Sequence, residues 1–241
     1  PALFLVTIPY AIYLLPSGDI RRLTAENGPI EMSGALALLA AAVMFALAAL
    51  SSERSGNPGS RMTSLWLMGL VLFCSLAFLE EISWGQQLLG FHTPDLVKHY
   101  NLQRETNLHN LRWFNGTDEF GNEKSFWALW FSSERLFNMC WFLYFVVMPV
   151  SAAISSRVRG LLARWSIPLA PVALSSVFVL QHLFYRFLDS LLGESAIHIT
   201  EVSEFNVEIL FAVAAAAMLL ELRQRVQLES TAPASCQSKT P

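Results

Sequence analysis

Six apolar runs divide this chain: residues 1–15, 30–50, 63–80, 126–150, 165–185 and 205–221. Charged residues gather between the runs instead of being sprinkled through them. Crossing the hydrocarbon of a bilayer takes about 20 mainly apolar residues, which the second, fourth, fifth and sixth runs supply. The third is long enough only if it carries Glu80 and Glu81 into the interface or a protein-lined cavity. The first stops before Pro16 and reads as a helix that begins upstream of Pro1, or as the remnant of a processed signal. Lipid cannot satisfy free backbone groups, and no run alternates as a barrel strand would, so the runs predict helices. Only 15% of the residues are charged, against roughly 25% in an ordinary soluble domain. The expected fold is therefore all-α: a polytopic integral membrane protein of about six transmembrane helices, with an interfacial helical segment between the third and fourth. Residues 1–229 would form one domain, including an outer-side interfacial or lid segment at 90–125. Residues 230–241, rich in Ser, Thr, Pro and Gln, read as a disordered tail.

The connecting segments set an orientation. Arg54 and Arg61 follow the second run, Arg157, Arg159 and Arg164 the fourth, and Arg223 and Arg225 the sixth. Basic loops face the cytoplasm, so both termini are expected there, in a membrane such as the bacterial inner membrane. Sixteen of the nineteen acidic residues and all five histidines then share the opposite side. The cysteines offer no pair on that side: Cys74 and Cys140 fall in apolar runs and Cys236 in the tail, which argues against a disulfide framework. Asn115-Gly116-Thr117 fits the glycosylation pattern on the outer face. There is no phosphate-binding Gly-rich loop, Cys-x-x-Cys pair or Gly-x-Ser-x-Gly elbow, and the net charge of −3 does not suit nucleic acid.

Residues 90–125 are too long and too patterned for a bare connector. His92-Thr93-Pro94-Asp95 reads as a helix start, and 95–113 as an interfacial helix anchored by Leu96, Tyr100, Leu108, Leu111 and Trp113. On such a helix Glu105, His109 and Arg112 share a face. The run Asn101-Leu102-Gln103-Arg104-Glu105-Thr106-Asn107-Leu108-His109-Asn110 is dense in specific hydrogen-bonding groups. It is either an amphipathic surface helix or one wall of a site.

The carboxylates nearest the membrane are the strongest chemical signal. Glu80 and Glu81 close the third run, followed by Ser83, Trp84 and Gln87, and a continued helix would cluster Glu80, Ser83, Trp84 and Gln87. Two adjacent acids there carry a desolvation cost unless paired, protonated, hydrated or metal-bound. They also sit at the helix end whose dipole favours cations. Glu80 is thus the first candidate catalytic or ligating residue, with ion pairing to Arg135 or Arg186 as the structural alternative. His182, Arg186 and Asp189 align near the end of the fifth run. His182 suits a metal ligand, an acid or base, an axial haem or pigment ligand, or a packing contact. Glu201, Glu204 and Glu208 share a broad face at the start of the last helix, where its dipole favours negative charge.

Together these residues predict an outer-face Glu/His site. Glu80, Glu81, His109 and His182 are the candidate catalytic groups. Glu80, Glu105, His109, His182, Glu201 and Glu204 are candidate ligands for a divalent metal (Zn, Mn or Fe), although no His-Glu-x-x-His motif is present. Trp84, Gln87, Arg135 and Arg186 would contact substrate. The leading expectation is a membrane enzyme, with metal-assisted hydrolysis of a lipid or lipid-linked substrate as its chemistry. A cofactor-holding or accessory subunit bound to a membrane-protein partner is the second expectation. A proton-coupled transporter is the third, although intramembrane acids gathered near one face fit alternating access poorly.

Overall fold

The computed structural model describes residues 2–25, 27–57, 59–102, 104–114, 125, 130–193 and 196–231. Among these the architecture is all-α. The first run starts as α1 (Ala2–Thr7), tightens into a 3₁₀ segment (Ile8–Leu14) that contains Pro9, and stops before Pro16. A short α2 (Ser17–Leu23) follows. Helix α3 (Pro29–Arg54) starts with proline in its first turn, where the missing N–H costs no helical hydrogen bond. There the Glu31 carboxylate accepts from Asn27 N–H at 2.7 Å.

Helix α4 (Ser60–Glu81) returns antiparallel to α3 and ends in a 3₁₀ turn, Ser83–Gly85. Two short helices come next, α5 (Gln86–Leu89) and α6 (Asp95–Tyr100). Helix α7 runs over Ser133–Ile154, widening into a π turn at Phe142–Val147. Helix α8 (Ser156–Arg164), α9 (Val172–Leu192) and α10 (Ile199–Thr231) complete the chain.

Among the described residues four helices, not six, are long and apolar enough to cross a membrane: Pro29–Arg54, Ser60–Glu81, Ser133–Ile154 and the Ile199–Leu228 part of α10. The protein is an integral membrane protein, but the six-helix expectation fails at the first and fifth runs. Pro9 and Pro16 cut the first into short pieces. The fifth does fold as a helix of 21 residues, yet Gln181, His182, Arg186 and Asp189 dilute its second half. Its first half packs against α7, so it belongs to the bundle without the uniform apolarity of a span.

Small residues let the central helices approach closely. Ala41 and Ala48 of α3 and Ala214 and Ala215 of α10 are fully buried, as helix packing without bulky side chains requires. Aromatic rings fill the other side of the core: Phe178 of α9 stacks on Trp141 and Phe145 of α7, and Phe211 of α10 meets Phe145 edge-on. The π turn has a local cause. Pro149 has no N–H for the carbonyl four residues back, and Ser175 of α9 donates to that carbonyl, Phe145 O, at 2.6 Å.

At one end of the bundle the basic loops meet, with Thr63 donating to Ser166 O and Trp66 to Trp165 O. The tail at 232–241 and the glycosylation pattern at 115–117 lie outside the described residues.

Candidate active site

At the opposite end, where α4 and α9 finish and α3, α7 and α10 begin, the helices enclose a cavity of about 840 Å³. Its inner wall is apolar, with Leu38, Phe73, Phe137, Trp141 and Val207. The rest of its lining is acidic: Glu31 from α3, Glu80 and Glu81 from α4, Glu134 from α7, and Glu201, Glu204 and, deepest, the buried Glu208 from α10. Glu105 joins them from the segment after α6, as do His109, and His182 and Arg186 from α9.

That segment is not the helix expected at 95–113. Only Asp95–Tyr100 is helical; the chain then turns back on itself, closed by an antiparallel bridge between Asn101 and Leu111. Leu102 N–H donates to Asn110 O, and Arg112 N–H to Tyr100 O. Glu105, His109 and Arg112 therefore do not share a helical face. The physical reason lies in Asn101, Glu105, Asn107 and His109 themselves. Their side chains bond backbone and neighbours in non-helical turns and so compete with a helix. Asn101 donates to Asn107 O and Oδ1 at 2.9 and 2.7 Å, and its own Oδ1 accepts from Glu105 N–H at 3.2 Å.

Glu80 fastens this folded loop to α4. Its Oε2 accepts from the backbone N–H groups of Leu108 (2.6 Å) and His109 (2.9 Å), and lies 3.3 Å from His109 Nδ1. Its Oε1 accepts from Trp84 Nε1 at 2.6 Å. A second seam lies alongside: Ser83 Oγ donates to the Glu105 carboxylate, and Gln86 Oε1 accepts from Thr106 N–H at 2.8 Å and Thr93 Oγ1 at 3.0 Å.

The turn that makes this possible is strained. Ser83 and Trp84 hold φ of 46° and 55°, a left-handed region costly for residues with a Cβ, before Gly85 at 78°. The helix thus ends at Glu81, and Glu80, Ser83, Trp84 and Gln87 do not form the continued helical face expected of them. The Gln87 side chain lies outside the description.

His109 carries the clearest proton-transfer geometry. With the proton on Nδ1 facing Glu80, Nε2 accepts from the Asn110 amide at 2.9 Å. Burial favours the neutral ring. The Glu80 hydrogen bond and the charges of Glu81, Glu80 and Glu31 outweigh that effect and raise the His109 pKa above its ordinary value.

The other candidates fall unevenly. Glu81, Glu201 and Glu204 line the cavity, as do His182 and Arg186. His182 sits near the Trp141 and Tyr185 rings, and Arg186 lies 4.0 Å from Asp189. Arg135 is not where pairing with Glu80 would need it: it is exposed, outside the lining, with its backbone N–H capped by Ser132 Oγ. It stands about 100° round α7 from Glu134, off the face that Glu134, Phe137, Asn138 and Trp141 give to the cavity. Among the described residues, no group of three or more His, Cys, Asp or Glu side chains is gathered tightly enough to hold a metal ion.

One residue escaped the sequence reading. A Cβ on Gly34 of α3 would lie 1.8 Å from Glu208 Oε2, so the absence of a side chain there makes room for that carboxylate. A glycine within an apolar run, with an acid inside another, was the available signal.

No protein-family model matches the chain, and neither the curated proteins nor the solved structures contain a match.

Proposed function

We propose that this chain is an integral membrane enzyme that performs acid–base chemistry, of the kind hydrolysis requires, on a lipid or lipid-linked substrate at one face of the bilayer. One observation carries the reading: the Glu80–His109 pair is set at the mouth of a cavity whose inner wall is apolar. A substrate with a polar head and an apolar tail fits both parts of that chamber.

In this reading Glu80 is a positioning residue that fixes the ring and its tautomer through Nδ1, and His109 Nε2 exchanges Asn110 for a substrate or water proton. His182 and Arg186, on the facing helix, act on the far side of the substrate. The basic end of the bundle, with Arg54, Arg61 and Arg164, supports a cytoplasmic placement for that end and an outward-facing cavity. A bacterial inner membrane, with the end of α10 on the cytoplasmic side, is the matching localisation.

The test is product profiling. Purified wild type, His109→Ala and Glu80→Gln are incubated with a whole-lipid extract, with and without added Zn²⁺, Mn²⁺ or Fe²⁺, and lipid masses are followed in time. The reading expects a product whose rate falls by about two orders of magnitude or more in His109→Ala, the scale of a lost general acid or base. Equal profiles for wild type and His109→Ala would overturn it.

A further inference from the structure

The deep end of the cavity holds a group for which no polar partner is described. Glu208 is 5% exposed and lines the cavity, and among the described residues no hydrogen bond or ion pair reaches its carboxylate. It lies one turn of α10 below Glu204 and about 10 Å along the axis from Glu201. Gly34 leaves space for it, so this acid has a made place in the bundle instead of a chance one. Glu81, Glu204 and Glu31 lie close enough to act on its charge. Buried carboxyl groups of like sign are protonated unless positive charge is brought to them, so a cationic guest is what would hold them charged.

Arg186 is the one arginine among the lining residues, and it is mostly exposed at the mouth. With eight glutamates in the lining against Arg186, His109 and His182, the balance of charge favours a cationic head over a phosphate one. Two cationic guests compete: a metal ion and an organic ammonium. Among the described residues the carboxylates are not gathered as a metal requires, whereas Phe73, Phe137 and Trp141 give the same cavity an apolar and aromatic wall. Aromatic faces receive ammonium groups favourably, and an alkyl tail fills the rest.

We propose that the substrate of this site is an amphiphilic amine, an aminolipid whose ammonium group docks among Glu208, Glu81 and Glu204. The inference rests on the reading of the cavity as a substrate chamber and adds the charge of what enters it.

The experiment uses the full chain in neutral maltoside micelles. Equilibrium dialysis measures binding of radiolabelled hexadecylamine, hexadecyl phosphate, hexadecanol and Mn²⁺ to wild type, Glu208→Gln, Glu81→Gln and His109→Ala. Glu221→Gln, at the other end of α10, is the control. The expected result is saturable binding of hexadecylamine alone, at about one per chain, weakened about tenfold or more in both Glu208→Gln and Glu81→Gln. Should Glu208→Gln fail to fold, Glu81→Gln and Glu204→Gln carry the test. Amine binding that is unchanged in the folded glutamine variants overturns the proposal, as does stoichiometric Mn²⁺ binding in its place. Saturable hexadecyl phosphate binding that depends on His109 would remove the amine assignment while leaving the enzyme reading intact. No saturable amphiphile binding at all would remove both.

Discussion

Replacing Glu80 with glutamine is the sharpest perturbation of the loop that frames the cavity. The carboxylate accepts from three N–H groups, Trp84 Nε1, Leu108 N and His109 N, at 2.6, 2.6 and 2.9 Å, and also faces His109 Nδ1. Glutamine keeps one acceptor oxygen. Turned toward the loop, that oxygen retains Leu108 and His109 and leaves the amide NH₂ facing the Trp84 N–H. Turned the other way, it leaves two backbone donors unmet, which is worse. The cheaper choice forfeits one charge-assisted bond, whose exposed Trp84 donor then turns to water, for about 1–3 kcal/mol, and weakens the remaining bonds by removing the charge.

A total near 3 kcal/mol raises the open population of the loop on the order of a hundredfold. Hydrogen exchange of peptides spanning 101–114 reads this directly. The Leu108 and His109 amides should exchange on the order of a hundredfold faster in Glu80→Gln, while those of α3 and α10 keep their protection. Unchanged exchange at 108 and 109 would refute the clasp. Faster exchange throughout the bundle would refute its locality.

Other outcomes follow from the same geometry. Gly34→Ala pushes a methyl into the Glu208 carboxylate and should lower stability by about 1–3 kcal/mol; adding Glu208→Ala should recover part of that loss, read as non-additive Tm shifts. The His109 pKa is raised in the folded chain, so its contribution to loop docking is complete below the ordinary value of 6.5 and is lost as pH rises through the folded value. Loop protection, corrected for intrinsic exchange, should therefore decline above pH 6.5 in wild type and much less in His109→Gln. Phe178→Ala empties a fully buried position between Trp141 and Phe145 and should cost about 3–5 kcal/mol in unfolding assays, without altering exchange at 108–109.

The helical class and four of the spans were legible because a 17- to 25-residue apolar run in lipid has few alternatives. The first and fifth runs misled for opposite reasons. Proline at positions 9 and 16 ended a helix that hydropathy alone would extend, and α9 kept its helix while carrying too many polar groups for a span. The acidic end of α10 was readable, since Glu201, Glu204 and Glu208 recur at helical spacing on a helix that does form. The loop at 101–114 was not. From Asn101 to His109 every residue but Leu102 and Leu108 is polar, so no strand period stands out, while the apolar anchors to either side also fit a helix. What decided the matter was long-range: Glu80 and Ser83, more than twenty residues earlier, hold the folded loop through groups that sequence spacing does not connect. The left-handed turn at Ser83 and Trp84 was invisible for the same reason, because neither residue favours that backbone unless tertiary bonds impose it.

The central claim is that the cavity is a chamber for a lipid, and photo-cross-linking from its wall tests that most directly. Benzoylphenylalanine in place of Phe137, activated in native membranes, labels whatever occupies the space. The account predicts an adduct with the mass of a lipid, diminished when Glu208 is replaced by glutamine. An adduct to a second polypeptide, unaffected by that replacement, would contradict it and make this face a subunit interface.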